Sequence, residues 1–333
     1  MQSKVLITGA SGLLGANLVR KMYAAGYSIT ILIRPTANIE SIKDIPMEIH
    51  YGCLSDVNIL DKAIAEVDYV VHAASLTTQW GVDFEDYKAI NVTATQQLAI
   101  ACLKWRIKKL IYISTANTLA PGSKVLPGNE LNGFGLLHIN SGYINSKYIA
   151  LLYIQEQVAI NQLPAVIISP TFMLGKYDSK PSSGQLLLHG IKNRILLYPS
   201  GGKNFVHVED VCDAIINAIY KGINGEHYLV AGDNLSYKEF FQIVAQQTGI
   251  PQKRWRIPGA ILRLVGRLVT LSKKITPNSI KLDYAAAYML TLDNYYTGKK
   301  AARELSINYR PISTAIEDAL TWFKESGKIN INT

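Results

Sequence analysis

Cysteine is scarce in this chain. Cys53, Cys102 and Cys212 are the only three among 333 residues, and their wide separation gives no metal-ligand spacing. Reduced thiols, no disulfide and no metal site are therefore expected. Long apolar runs are also missing, since nothing approaches the ~18 consecutive apolar residues that mark a membrane span. The first strand-like stretch begins at about Lys4 and leaves no room for a basic and apolar leader, so a cytoplasmic chain is expected. Acid is absent between Glu239 and Asp283, where Lys253, Arg254, Arg256, Arg263, Arg267, Lys273, Lys274 and Lys281 supply eight cations against a formal net charge of +9. No aromatic-basic interleaving accompanies them, which argues against nucleic acid as a partner. The remaining balance, 48% hydrophobic and 18% charged, is that of a globular protein large enough for two lobes.

Glycine is concentrated where it has a mechanical use. Thr8-Gly9-Ala10-Ser11-Gly12-Leu13-Leu14-Gly15 follows the apolar Val5-Leu6-Ile7 and precedes an amphipathic segment running to about Ala25. Strand, glycine turn and helix follow in that order. The first glycine permits a tight turn, the second lets backbone approach a pyrophosphate, and the third allows close packing of helix on strand. Backbone N–H groups at the helix start then face an anion, the arrangement of a dinucleotide site.

The same alternation continues along the first half. Strands are expected at Val5 to Thr8, Ile29 to Ile33, Met47 to Tyr51, Tyr69 to His72, Leu110 to Ser114 and Val166 to Ser169, with the longest helix from about Phe84 to Cys102. Regular alternation implies an α/β fold, a doubly wound parallel sheet of Rossmann type covered on both faces. After Pro170 come loops, a short strand at Asn204 to Val208, a helix from about Asp210 to Tyr220, and a mainly helical remainder. Residues 1–170 with 204–222 are read as the dinucleotide-binding domain, and 171–203 with 223–333 as a smaller, mostly helical substrate lobe.

Tyr143 and Lys147 lie four apart ahead of an apolar run from Tyr148 to Ile154, so a helix presents both on one face. An ammonium beside a phenol favours the phenolate, so the pair can handle a proton closer to neutrality than a free tyrosine with a pKa near ~10. Alone, the pair reads more readily as an exposed lysine whose stem covers a half-buried tyrosine.

Taken in order, these residues resemble the extended short-chain dehydrogenases/reductases over nearly the whole chain. The glycine turn is joined by Val71-His72-Ala73-Ala74, by Asn91-Val92-Thr93-Ala94-Thr95, by Tyr112-Ile113-Ser114-Thr115, and by Tyr143 and Lys147, the tyrosine 28 residues after Thr115. Ser169-Pro170-Thr171-Phe172-Met173-Leu174-Gly175 and Phe205-Val206-His207-Val208-Glu209-Asp210-Val211 complete the series. The resemblance implies that Thr115 orients a substrate oxygen, Tyr143 supplies a proton, and Lys147 holds the nicotinamide ribose while favouring tyrosine ionisation. It implies a cofactor site formed by Gly9, Ser11, Gly12, Leu13, Leu14, Gly15, Arg34, Leu54, Ala73, Ala74, Tyr143, Lys147, Pro170, Phe172 and Met173.

Cofactor choice turns on the end of the second strand. Related NAD enzymes carry an acid there; this chain has Ile33 followed by Arg34, which can fork onto a 2′-phosphate, so NADP is expected over NAD. Two departures stand against the pattern: Ala37-Asn38-Ile39 adds no second base, and Cys53 takes the place of an aspartate that usually contacts adenine, leaving Leu54 to pack there.

Within the family the chain most resembles the branch of dihydroflavonol reductases, related carbonyl reductases and 3β-hydroxysteroid dehydrogenases, through Ser75 to Gln97 with Trp80 and through Lys176 to Ser182. Nucleotide-sugar epimerases and dehydratases share the catalytic trio but usually carry Val-Tyr-Gly where this chain has Thr118-Leu119-Ala120-Pro121-Gly122. Leu126, Leu131, Phe134, Leu136, Leu137 and Ile139 make an apolar loop that either lines a hydrophobic substrate or folds back on the core. A non-catalytic NADP-binding sensor is a further alternative, since fold does not dictate function. The basic segment 253–281 includes Ile261, Leu264, Val265, Leu268 and Val269 at helical spacing. Burial of that stripe with a solvated basic face is the preferred reading, ahead of an anionic-substrate site or weak membrane-surface contact. The resemblance also implies a homodimer paired through the helices around Phe84 to Cys102 and Ser141 to Gln157.

Overall fold

The computed structural model describes residues 2–78, 81–192, 195–272 and 283–329; Trp80, Lys273, Lys274 and Lys281 lie outside the described residues. In chain order the first half comprises β1 (Lys4–Thr8), α1 (Leu13–Ala24), β2 (Ser28–Ile33), β3 (Glu48–Tyr51), α2 (Val57–Ile64), β4 (Tyr69–His72), α3 (Phe84–Tyr87), α4 (Ala94–Lys104), β5 (Lys109–Ile113), α5 (Gly142–Asn161) and β6 (Ala165–Pro170). There follow β7 (Phe172–Leu174), α6 (Gly184–Lys192), β8 (Ile195–Tyr198), β9 (Gly202–His207), α7 (Val208–Lys221), β10 (His227–Val230), β11 (Asp233–Ser236) and α8 (Tyr237–Thr248). The chain ends with β12 (Lys253–Arg256), α9 (Gly259–Ser272), α10 (Tyr284–Met289), β13 (Asp293–Asn294), α11 (Lys299–Glu304) and α12 (Ile312–Glu325).

Seven strands form one sheet in the order β10-β6-β5-β4-β1-β2-β3, every neighbouring pair parallel. The chain reverses its direction of winding between β1 and β4, the kind of switch point at which open parallel sheets bind their ligands. Both faces of the sheet are covered, which is why its strands read as unbroken apolar runs. Val5 and Ile7 face a core shared with α1 and α7, whereas Leu6 faces one shared with α2, α4 and α5. The doubly wound parallel sheet expected from the alternation is therefore present. One strand departs from the boundary read at residue 223: β10 pairs with β6 and completes the main sheet. Its four residues, all buried, carry no amphipathic period by which sequence could assign them to either layer.

Beyond the sheet, β9 pairs with β7, β11 and β13, and β8 with β12. A third core joins Phe205 of β9, stacked on Phe240 of α8 at 4.6 Å between ring centroids, to Ile316 and Phe323 of α12. Arg310 anchors the segment before α12 by pairing with the fully buried carboxylate of Asp210 at the start of α7.

The burial expected of the basic segment's apolar stripe is corrected here. α9 buries Leu262 and Val269 and packs Gly266 against Ala287 of α10, leaving Ile261, Leu264, Val265 and Leu268 exposed. The buried side lies one position round from the stripe, and only Val269 belongs to both. Helical spacing locates an apolar face but does not say which face has a neighbour.

Candidate active site

The glycine turn does steric work at two of its three positions. Gly9 has φ +75°, and a Cβ there would lie 2.7 Å from Ala74 N, so the turn presses directly on Ala73 and Ala74 at the end of β4. A Cβ on Gly15 would sit 2.1 Å from Gly9 O, so α1 packs onto the turn itself. Gly12 has only Gly9 O, at 3.5 Å, and is exposed as the N-cap of α1. No side chain caps that end. Leu13 and Leu14 begin the helix with unpaired N–H groups beside Ser11, and this cradle fits the pyrophosphate of a dinucleotide.

Arg34 is exposed just past β2, and no ion pair engages it among the described residues, whereas Arg20 nearby is committed to Asp44 at 2.5 Å. Ile33 before it is buried. An unpaired guanidinium with no acid at the strand end fits a phosphate better than ribose hydroxyls. Leu54 is half-buried and packs toward the core at α2, while Asp56 is occupied in capping that helix through Asn58 N at 3.1 Å.

Thr115, Tyr143 and Lys147 come together at the ends of β5 and the start of α5. α5 begins one residue before Tyr143, capped by Ser141, so the tyrosine and lysine occupy successive turns of one helix face. The Thr115 hydroxyl accepts from Asn117 N at 3.3 Å and lies close enough to the Tyr143 phenol to favour its ionisation. Lys147 is buried; its Nζ donates to Ile113 O at 2.7 Å and lies 4.6 Å from the centre of the Tyr112 ring. Burial lowers the Lys147 ammonium to about 7. Burial also raises the Tyr143 phenol above its ordinary value, against the opposing effect of Thr115. The expectation that Lys147 draws the phenol toward ionisation is thus corrected for this state: the lysine turns to the Ile113 carbonyl, and desolvation dominates the tyrosine.

Several further residues complete the site, of which Asn91 and His72 stood in the family motifs of the sequence without a role of their own. The turn between α3 and α4, Lys88–Thr93, is a π-helix, and it carries the buried Asn91. Asn91 receives Ser75 Oγ at 3.0 Å and Leu76 N at 2.7 Å and donates to Ser146 Oγ at 3.0 Å, tying the loop after β4 to α5 one residue before Lys147. A lone asparagine inside an apolar helical run is the signal that could have found it. His72 is held neutral by burial, its pKa near 3, and bridges Thr8 Oγ1 at 2.8 Å to Thr95 Oγ1 at 2.9 Å, fixing β1, β4 and α4 together under the turn. Among the described residues, Tyr112 OH, Ser114 Oγ and Asn145 Oδ1 are buried without partners, as polar atoms are when a ligand or water completes them. Lys203 of β9 stands 4.9 Å from the Phe172 ring with no carboxylate partner among the described residues, and burial lowers it to about 8.

Pro170 is buried at the end of β6, and Phe172 and Met173 follow in β7, half-buried beside the sheet. Of the apolar loop, Leu136 and Ile139 are buried with Ile144, and Phe134 and Tyr143 pack against them, as do Tyr288 and Met289 of α10. Leu126, Leu131 and Leu137 stay exposed. Its inner half folds back beside Tyr143, and its outer half does not.

Fold and site together define an oxidoreductase that works with a nicotinamide dinucleotide. Among known proteins, the chain is 26% identical over 327 residues to the sterol demethylase protein B of Methylococcus capsulatus (Bath), covering 97% of this chain and 99% of that one. It is 24% identical over 335 residues to a putative dihydroflavonol 4-reductase of Synechocystis, covering 97% and 95%. A solved nucleoside-diphosphate-sugar epimerase from Pseudomonas aeruginosa superposes with a TM-score of 0.81 at 25% identity over 99% of this chain and all of that one. The model of the NAD dependent epimerase/dehydratase family matches residues 5–231, and the chain belongs to that family, in its extended short-chain dehydrogenase/reductase branch.

Proposed function

We propose that the chain is an NADPH-dependent reductase of an uncharged, hydrophobic carbonyl compound, of the dihydroflavonol, steroid or simple aldehyde and ketone kind, acting in the cytoplasm. The observation that carries this reading is the convergence of three side chains: Tyr143 and Lys147 on successive turns of α5, and Thr115 just past the end of β5. Bound nicotinamide supplies a hydride to the carbonyl carbon. The protein's part is at the oxygen: Thr115 orients it, and Tyr143 gives up its phenolic proton as the oxygen gains charge. The phenolate left behind is stabilised by the Thr115 hydroxyl and by the Lys147 ammonium, which keeps two N–H donors beyond the one given to Ile113 for a ribose hydroxyl and the developing charge. Met289 and Leu292, half-buried in the group around Tyr143, favour an apolar substrate body, and the sterol and flavonol names of the relatives agree with this.

Arg34, exposed beside Ile33 and with no ion pair among the described residues, supports NADP over NAD. A homodimer through α4 and α5 remains part of the reading, because their outer faces leave Ile100, Ile149 and Leu152 exposed. One observation favours a second reading: Lys203, desolvated and without a carboxylate partner among the described residues, would suit an anionic substrate, so a nucleotide-sugar epimerase or dehydratase is the alternative. A non-catalytic sensor has no use for a proton donor beside Thr115. Incubation with NADPH and a panel of hydrophobic aldehydes, ketones and dihydroflavonols tests the proposal. Consumption of NADPH with one of them is expected; turnover confined to nucleotide sugars, with no net cofactor consumed, would replace it with the epimerase reading.

A further inference from the structure

We propose that the outer face of α9 docks the protein on an anionic phospholipid bilayer, one helix away from the catalytic tyrosine. Ile261, Leu264, Leu268 and Leu271 are each between 52% and 62% exposed and recur at helical spacing. Long apolar side chains aligned on one exposed face are uncommon on a helix that meets only water. Arg263 and Arg267, one turn apart, border this stripe and join Ala260, Leu264, Tyr284 and Tyr288 in a cleft of about 380 Å³ between α9 and α10. Neither arginine pairs with a carboxylate among the described residues; Arg267 lies 5.2 Å from the Tyr284 ring, and Asp283 has a carboxylate oxygen engaged by Ala286 N at 3.0 Å. Just before α9, the β12 strand exposes Lys253, Arg254 and Arg256 together with Trp255.

Charge selects the occupant. A second copy meeting this face about a twofold axis would bring arginines against arginines, which disfavours self-pairing. A partner must be anionic and must also accept Ile and Leu side chains to some depth, and a bilayer of anionic phospholipid offers both: phosphates for the arginine-lined cleft and acyl chains for the stripe. Trp255 is the residue type that settles at such a boundary. No helix among the described residues is long and apolar enough to cross a membrane, so contact would be made from the surface. α10, packed on α9 through Ala287, also carries Tyr288 and Met289 against the group around Tyr143, with His138 edge-on to Tyr288 at 5.4 Å. A face docked on lipid would hold the active site close to compounds dissolved in it.

The docking does not depend on the reductase reading, and its test does not read activity. The full chain is sedimented with phosphatidylcholine vesicles and with mixed phosphatidylcholine–phosphatidylglycerol vesicles, at low and high salt. Binding to the mixed vesicles, weakened by salt, is expected. Arg263→Gln with Arg267→Gln should weaken it about tenfold or more, and Leu264→Glu with Leu268→Glu should leave the protein in the supernatant, while circular dichroism and NADPH binding match the parent chain. The proposal is overturned if the parent chain stays in the supernatant with mixed vesicles at low salt, or if both double variants bind as it does. It is equally overturned if ultracentrifugation without lipid shows a dimer that Leu264→Glu with Leu268→Glu dissociates, which would make the face a self-interface.

Discussion

At the scale of single residues, desolvation sets the chemistry of the site. Lys147 falls from an ordinary 10.5 to about 7 because it is buried. Its unfolded form therefore holds a proton that its folded form gives up between those values, so its contribution to stability increases as pH rises from about 7 to 10.5. Binding runs the other way. A cofactor that needs the ammonium is bound with proton uptake, so its dissociation constant should rise above pH 7 by up to about tenfold per unit. Titration calorimetry at several pH values checks this, and Lys147→Met should flatten the slope. Lys203, lowered to about 8 by burial, adds to the stability trend. Arg34 makes a separate prediction. Losing a charge-assisted contact of about 1.5–3 kcal/mol, Arg34→Ala should weaken NADPH roughly tenfold to a hundredfold and leave NADH unchanged; equal affinity for NADPH before and after would show that the phosphate lies elsewhere. Much at this scale was legible from residue type and order: Thr115, Tyr143 and Lys147 do converge. The direction of the tyrosine's shift was not, because burial depends on the loop and α10, which lie far from it in sequence.

At the scale of elements, the glycine turn separates packing from binding. Gly15→Ala places a methyl group 2.1 Å from Gly9 O, backbone against backbone, and should cost about 2 kcal/mol or more of stability. Gly12→Ala meets only ordinary contact at 3.5 Å, so thermal unfolding should shift little while NADPH binding weakens about tenfold or more, as the methyl group occupies the anion's side. If both variants lose stability alike, the turn is only a packing device. Element boundaries were readable where the apolar period was strong, as in β1, β2 and α5. The longest expected helix, Phe84 to Cys102, is instead α3, a π-turn and α4. A π-turn leaves no mark on a 3.6-residue pattern short enough to contain it, so Asn91 stood in a family motif while its ties to Ser75, Leu76 and Ser146 were not legible. α9 shows the complementary limit: its stripe was legible, its lack of a covering neighbour was not.

At the scale of the whole molecule, the parallel sheet followed from alternation alone, whereas the placement of β10 required knowing what lies beside β6. The outer faces of α4 and α5 bear on assembly. Ile100 and Leu152 are exposed there, and if they form a dimer contact, Ile100→Glu with Leu152→Glu should yield a monomer by light scattering; an unchanged mass would remove these helices from the interface. The proposed reaction rests on a proton and a hydride reaching one carbonyl. Its most direct test is mass spectrometry of the product formed from a carbonyl substrate and NADPH carrying deuterium at the transferable position. One deuterium on the carbinol carbon, one NADPH consumed per alcohol, and a rate about 100-fold or more lower in Tyr143→Phe are the predicted results. Product without deuterium, or an undiminished rate in Tyr143→Phe, would contradict it.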